Sequence, residues 1–125
     1  MTNIIKQFND ISIEFMKQTE QITGTSYINQ FKLMTRLNSL IAIDMYIKKI
    51  LPYKYYIYNK DERFFINMDI DNSYMAYFTD IIEIKYIFKK LDKDTKNNIW
   101  EYIQALTLLA EEKSNKDLFI QRECT

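Results

Sequence analysis

Residues 97 to 112, NNIWEYIQALTLLAEE, set the strongest constraint on how this chain folds, because as a helix they are apolar around most of their circumference. Ile99, Ile103, Leu106 and Ala110 share one face, and Trp100, Tyr102 and Leu109 widen it. The polar strip is reduced to Glu101, Gln104 and Glu111, and Leu108 intrudes on it. A helix of this kind needs cover from other elements, as a core helix has in a layered α-domain. The expectation is an all-α, compact single-domain bundle of about five helices over residues 1–125, with the 95–112 helix central and residues 113–125 as a C-terminal tail. The competing use of Leu108 and its neighbours is an interface with a second copy of the chain.

The remaining chain supplies amphipathic helices to provide that cover. Ile4, Phe8, Ile11, Phe15 and Ile22 draw one stripe along residues 3–22, and Gly24 closes the helix as a C-terminal glycine. Thr25 or Ser26 can cap the next helix, which turns Tyr27, Ile28, Phe31, Met34, Leu37 and Ile41 inward and bends near Asn38 and Ser39. A third helix runs from about Leu40 to Leu51 and stops ahead of Pro52, since the residue before proline avoids helical geometry. Asn72 or Ser73 caps a fourth, striped by Tyr77, Ile81, Ile84, Phe88 and Leu91; Asp94 or Thr95 caps the last. Leu118, Phe119 and Ile120 in the tail are expected to dock back. Residues 53–68 mix aromatic and β-branched residues around NKDE in the manner of a hairpin, but alternation is poor, and irregular or short helical structure is the favoured reading.

Composition excludes several function classes. The chain of 125 residues has 17 Lys/Arg and 17 Asp/Glu, so it lacks the overall basicity that drives nonspecific nucleic-acid or membrane binding. Residues 1–60 carry eight basic against four acidic groups and residues 61–125 carry nine against thirteen, a modest segregation. A single cysteine and no histidine remove disulfide scaffolds, zinc sites and Cys-His or Ser-His-Asp nucleophiles. One glycine removes the phosphate-cradling loops. No 18-residue apolar run and no Asn-x-Ser/Thr acceptor occur, so a non-secreted protein without a membrane span is expected. Neither an enzyme nor a resident cofactor or metal is expected. The abundance of Ile, Lys, Asn, Tyr and Phe follows A/T-rich codons and points to a low-G+C genome.

Three patterns merit weighing. Asp69, Asp71, Ser73 and Asp80 occupy oxygen-donor positions of an EF-hand loop, but Tyr74 stands where the sharp turn needs glycine, so a helix-capping loop is the simpler reading. Lys85, Lys89, Lys90, Lys93 and Lys96 recur at helical spacing and form a candidate basic ridge. Tyr55, Tyr56 and Tyr58 in YKYYIYNK supply rings that can stack on bases in a single strand, or else pack at the rim of the core with wet hydroxyls.

Two segments, KKILPYKYYIYNKDERFFINMD and IFKKLDKDTKNNIWEYIQALTLLAEE, resemble small uncharacterised proteins of nucleocytoplasmic large DNA viruses, the giant viruses. The shared features are the Leu-Pro-Tyr-Lys turn, the Asn-Lys-Asp-Glu and Phe-Phe cluster, and Trp-x-Tyr-x-x-x-Leu followed by Leu-Leu, over about half the chain. The tyrosine-dense YKYYIY departs from that pattern. The resemblance implies viral origin, a helical fold, and a role in the host cytoplasm, the viral factory or the virion, and it brings no catalytic residues. The expected function is a non-enzymatic structural or interaction protein that meets another protein, viral or host, or itself, through residues such as Trp100, Tyr102, Ile103, Leu106, Leu108 and Leu109. The alternative is a nucleic-acid-associated accessory protein built on the lysine ridge and the tyrosines.

Overall fold

A computed structural model describes residues 3–68 and 75–124, excepting the side chains of residues 75–80 and 119–124. All of the regular structure among the described residues is helical: α1 (Ile4–Thr23), α2 (Ile28–Leu37), α3 (Ile41–Lys49), α4 (Lys54–Tyr58), α5 (Arg63–Asn67), α6 (Met75–Ile87) and α7 (Lys93–Cys124). Short 3-10 turns at Leu51–Tyr53 and Phe88–Lys90 precede α4 and follow α6. The expected five helices thus become seven among the described residues, mainly because residues 54–67 form two short ones. The hairpin alternative is replaced by α4 and α5, joined by a tight turn in which Lys60 takes a left-handed φ of 52°.

Local chemistry explains most of the boundaries. Asn3 caps α1 by accepting the Lys6 N–H at 3.1 Å, and Gly24 ends it at φ 77°, a conformation that carries a steric cost for residues with a Cβ. The break after α2 falls where Asn38 turns extended and accepts the Leu40 N–H at 3.1 Å, which satisfies an amide the broken helix leaves open. No side chain caps α2, whose N-cap position is Tyr27, so the expected Thr25 or Ser26 cap is not formed. Asp92 rather than Asp94 or Thr95 opens α7, accepting the Thr95 N–H at 2.7 Å. The expected caps Asn72 and Ser73 lie outside the described residues, as does the side chain of Tyr77.

α7 runs for 32 residues, about 48 Å at the helical rise. The segment expected as a separate tail continues this helix to Cys124, because KSNKDLFIQRE holds no helix breaker and places Lys113 four residues ahead of Asp117. Leu118 is exposed and does not dock back; the side chains of Phe119 and Ile120 lie outside the described residues.

Burial follows the periodicity closely. Phe8 and Phe15 of α1, Ile28 and Phe31 of α2, Ile43 and Tyr46 of α3, and Ile99, Trp100, Ile103, Leu106 and Ala110 of α7 enter one core. Leu37 departs from its expected inward position and is 80% exposed. Six residues beyond Phe31 it has rotated about a third of a turn away from the buried direction. α7 packs on α1, α3, α4 and the Leu51–Tyr53 turn, while α1 also packs on α2, α3 and α6. The centre is therefore shared by α1 and α7, and α7 keeps a solvent-facing stripe of Asn98, Glu101, Leu108 and Glu112.

The buried hydroxyls between α3 and α7 find partners. The buried Tyr46 hydroxyl lies 2.8 Å from the Thr107 hydroxyl and 3.2 Å from the Ile103 carbonyl, and its one proton, shared between them, ties α3 to α7. Thr107 in turn donates to that carbonyl at 2.7 Å, so its hydroxyl is served by its own helix. At the far end of the same contact, Lys113 bridges Asp44 at 2.9 Å and Asp117 at 2.7 Å. Partial burial disfavours the charged amine there, but hydrogen bonds to Asp117 and Asp44 outweigh it and hold the ammonium above its ordinary pKa.

Trp100 is 3% exposed and meets Phe64, Phe65 and Phe88, with ring centroids at 6.5, 5.4 and 5.5 Å. Trp100→Ala is expected to cost about 3–5 kcal/mol in urea unfolding, the range for deleting a large buried aromatic. Asp92 supplies a pH-dependent term: its backbone hydrogen bond with Thr95, then the side-chain one, holds the carboxyl below its ordinary value of 3.8. A depressed folded pKa stabilises above that value and the contribution vanishes as pH falls through the folded pKa. Asp92→Ala is therefore expected to lower Tm at pH 7, with the gap to the native chain closing as pH falls below 3.8 and through the lowered folded pKa, where the carboxylate takes up its proton; thermal melts from neutral to acid pH check it.

Candidate protein-binding groove

Two short elements create the most distinctive surface. α5 carries Phe64 and Phe65 inward, which obliges the next residue, Ile66, to point out; it is 67% exposed. Ile81, Ile82 and Ile84 of α6 and Phe88 of the turn after it are buried, whereas Tyr86, near the end of the helix, is 75% exposed. Between α5 and the end of α6 lies a groove of about 520 Å³ lined by Glu62, Phe65, Ile66, Lys85, Tyr86, Phe88, Lys89 and Lys90.

The floor of this groove belongs to the core. Phe65 and Phe88 meet at a tilt of 35° with ring centroids 4.7 Å apart, and both rest on Trp100. The rim is cationic: Lys85, Lys89 and Lys90 are exposed, and Glu62 is the one carboxylate among the described lining residues. Lys96 reaches the same edge from α7, its ammonium 3.9 Å from Glu62 and 5.2 Å from the centre of the Phe88 ring. That combination of ion pair and cation–π contact fixes Lys96 against the protein. A concave apolar floor with exposed aromatic and aliphatic side chains and a polar rim is the anatomy of a protein-binding hot spot.

The fold divides the residues singled out from sequence. Lys85, Lys89 and Lys90 of the basic ridge meet at the groove, Lys96 borders it, and Lys93 is exposed beyond the lining set. The tyrosines are not brought to it. Tyr56 packs against α5 outside the described lining set, beneath Arg63 at 5.4 Å and accepting from Asn67 at 3.3 Å. Arg63 is also paired with Asp61, and this hydrogen-bonded guanidinium holds the Asp61 carboxyl below its ordinary value. Tyr55 is exposed with the Lys54 ammonium 5.3 Å from its ring, and Lys54 pairs with Glu111 at 2.7 Å. Tyr58 has a buried hydroxyl whose pKa is raised by burial and then by the Glu111 charge. Its main-chain carbonyl and that of Ile57 accept from Gln104, which spends part of the α7 polar strip on closing α4. None of the three tyrosines is among the described residues that line the groove with the lysines.

Among the candidate interface residues of α7, Trp100, Ile103 and Leu106 are buried and Tyr102 and Leu109 are half-buried, so they serve the core. Tyr102 stacks on Phe15 with ring centroids 5.3 Å apart. Leu108 alone of the six is exposed, at 58%. Beside it, a second groove of about 440 Å³ runs between α1 and α7, lined by Ile11, Glu14, Gln18, Asn98, Glu101, Tyr102 and Ala105.

Sequence reasoning missed Ile66 and Tyr86. The usable signal was an apolar residue out of phase with its own stripe: Tyr86 between Ile84 and Phe88, and Ile66 directly after two inward phenylalanines.

Among the described residues no group of three or more acidic, histidine or cysteine side chains is disposed to hold a metal. The EF-hand-like loop lies outside them, together with the Asp80 side chain. No helix among them is long and apolar enough to cross a membrane. Comparison with protein-family models, curated proteins and solved structures finds no match for this chain.

Rim and floor should separate in stability measurements. Ile66→Ala and Tyr86→Ala are expected to change unfolding free energy by no more than about 0.5 kcal/mol, as exposed positions do. Phe65→Ala and Phe88→Ala are expected to cost about 3–5 kcal/mol. Urea denaturation of the four variants checks both.

Proposed function

We propose that this chain is a non-enzymatic interaction protein of a large DNA virus, acting inside the infected host cell, and that the groove between α5 and α6 is its protein-binding surface. The observation that supports this reading is the exposure of Ile66 and Tyr86 above a floor of fixed aromatic rings, with lysines around the rim. An apolar side chain of the partner fills the groove, and acidic groups flanking it meet Lys85, Lys89 and Lys90. Because the floor is already packed, docking needs little ordering of this protein beyond the rim side chains, which favours affinity. The viral assignment rests on the resemblance of the LPYK, NKDERFF and WEYIQAL segments. Host cytoplasm, viral factory and virion are the compartments it implies.

The second reading is a nucleic-acid-associated accessory protein, favoured by the three exposed lysines at one edge. Against it, the tyrosines that would stack on bases lie elsewhere, and the formal net charge is zero.

Affinity capture from infected cells with nuclease treatment distinguishes the two. The expected result is a protein partner retained after nuclease treatment, lost with Tyr86→Ala combined with Ile66→Ser, and only mildly sensitive to added salt. Retention that collapses on nuclease treatment, or that falls steeply with ionic strength as counterion release requires, favours the nucleic-acid reading.

A further inference from the structure

The α5–α6 groove and the groove lined by Glu14 and Glu101 are opposite in charge. One is apolar at its floor and carries Lys85, Lys89 and Lys90; the other, between α1 and α7, carries Glu14 and Glu101 and no lysine among the described lining residues. Along the exposed stripe of α7, Leu108 projects as an isolated apolar side chain. Glu101 lies seven residues before it and Glu112 four after, so both carboxylates share its face. Glu112 also pairs with Lys116 at 3.6 Å, an exposed contact of the kind that yields readily to a competing partner.

We infer that the occupant of the lysine-rimmed groove is the α7 stripe of a second copy of this chain, with Leu108 seated over Phe65 and Phe88 and Glu101 and Glu112 against the lysines. This rests on the proposal that the groove binds protein and names the partner. The apolar element matches in kind, a single branched side chain against a concave aromatic floor. The charges match in sign, with carboxylates one and two turns from the leucine facing cations around the rim. A formal net charge of zero leaves no global repulsion between copies, so the local complementarity decides their orientation. The pairing is between unlike patches. It therefore avoids the lysine-to-lysine contact that placing two of these grooves face to face would impose.

Charge reversal tests the pairing with the full chain, in sedimentation or light-scattering measurements of solution mass at low salt. The native chain is expected to show concentration-dependent association. Lys89→Glu with Lys90→Glu reverses the groove; Glu101→Lys with Glu112→Lys reverses the stripe. Each double variant alone is expected to be monomeric, with an association constant at least tenfold lower. An equimolar mixture of the two is expected to recover association, because each reversed patch then finds its complement on the other protein. Leu108→Asp is expected to abolish association in the native background. All these positions are exposed, and unchanged melting curves confirm that loss of mass is not loss of fold. A native chain that stays monomeric at every concentration, association that survives the reversals, or a mixture that stays monomeric overturns the inference. If a partner is nevertheless captured from infected cells through Tyr86 and Ile66, the groove still binds protein and only the identity of its occupant is wrong.

Discussion

Contact of Trp100 with Phe65 and Phe88 is the constraint on which the rest of the structure depends. These rings come from α7, α5 and the turn after α6, three separate elements, and their mutual packing closes the core on that side. A five-residue helix such as α5 has too few internal hydrogen bonds to persist by itself. Its stability comes from the burial of Phe64 and Phe65, and its position fixes the outward direction of Ile66. The groove is the outer face of that same packing.

Two turns further along α7 the chain uses polar groups to set register. Tyr46 reaches the Ile103 carbonyl and Thr107, while Lys113 joins α3 to α7 at the solvent edge. Hydrophobic burial alone would tolerate small slides of α3 along α7. A buried hydroxyl that must find one particular partner does not, because an unsatisfied position carries a desolvation cost.

Where one stripe faced one partner, sequence periodicity located the buried residues. Phe8 and Phe15 of α1, and Ile99, Ile103, Leu106 and Ala110 of α7, are inside as their spacing requires. Residues 53–68 were harder to read, because dense aromatics satisfy the composition of a strand as well as that of a short helix pressed on a core. The end of α7 was hidden for another reason: polar sequence without a breaker is compatible with helix but does not demand it. The site was legible only in part. Spacing brought Lys85 and Lys89 onto one ridge, yet Ile66 and Tyr86 are exposed because of where α5 and α6 dock, a tertiary property that local pattern does not contain. Leu108 was recognisable as an intruder on a polar strip, which is how it stands in the fold.

Sharing aromatic rings between core and groove limits how this surface can change over generations. A substitution that reshapes Phe65 or Phe88 to suit a new partner also loosens the tryptophan beneath it, and most such changes would be removed for instability before their binding could be selected. The lysines and the two exposed apolar residues carry no such burden. Drift in partner preference should therefore be written in the rim, over a floor held nearly constant, so that related chains would diverge in whom they bind much faster than in how they bind.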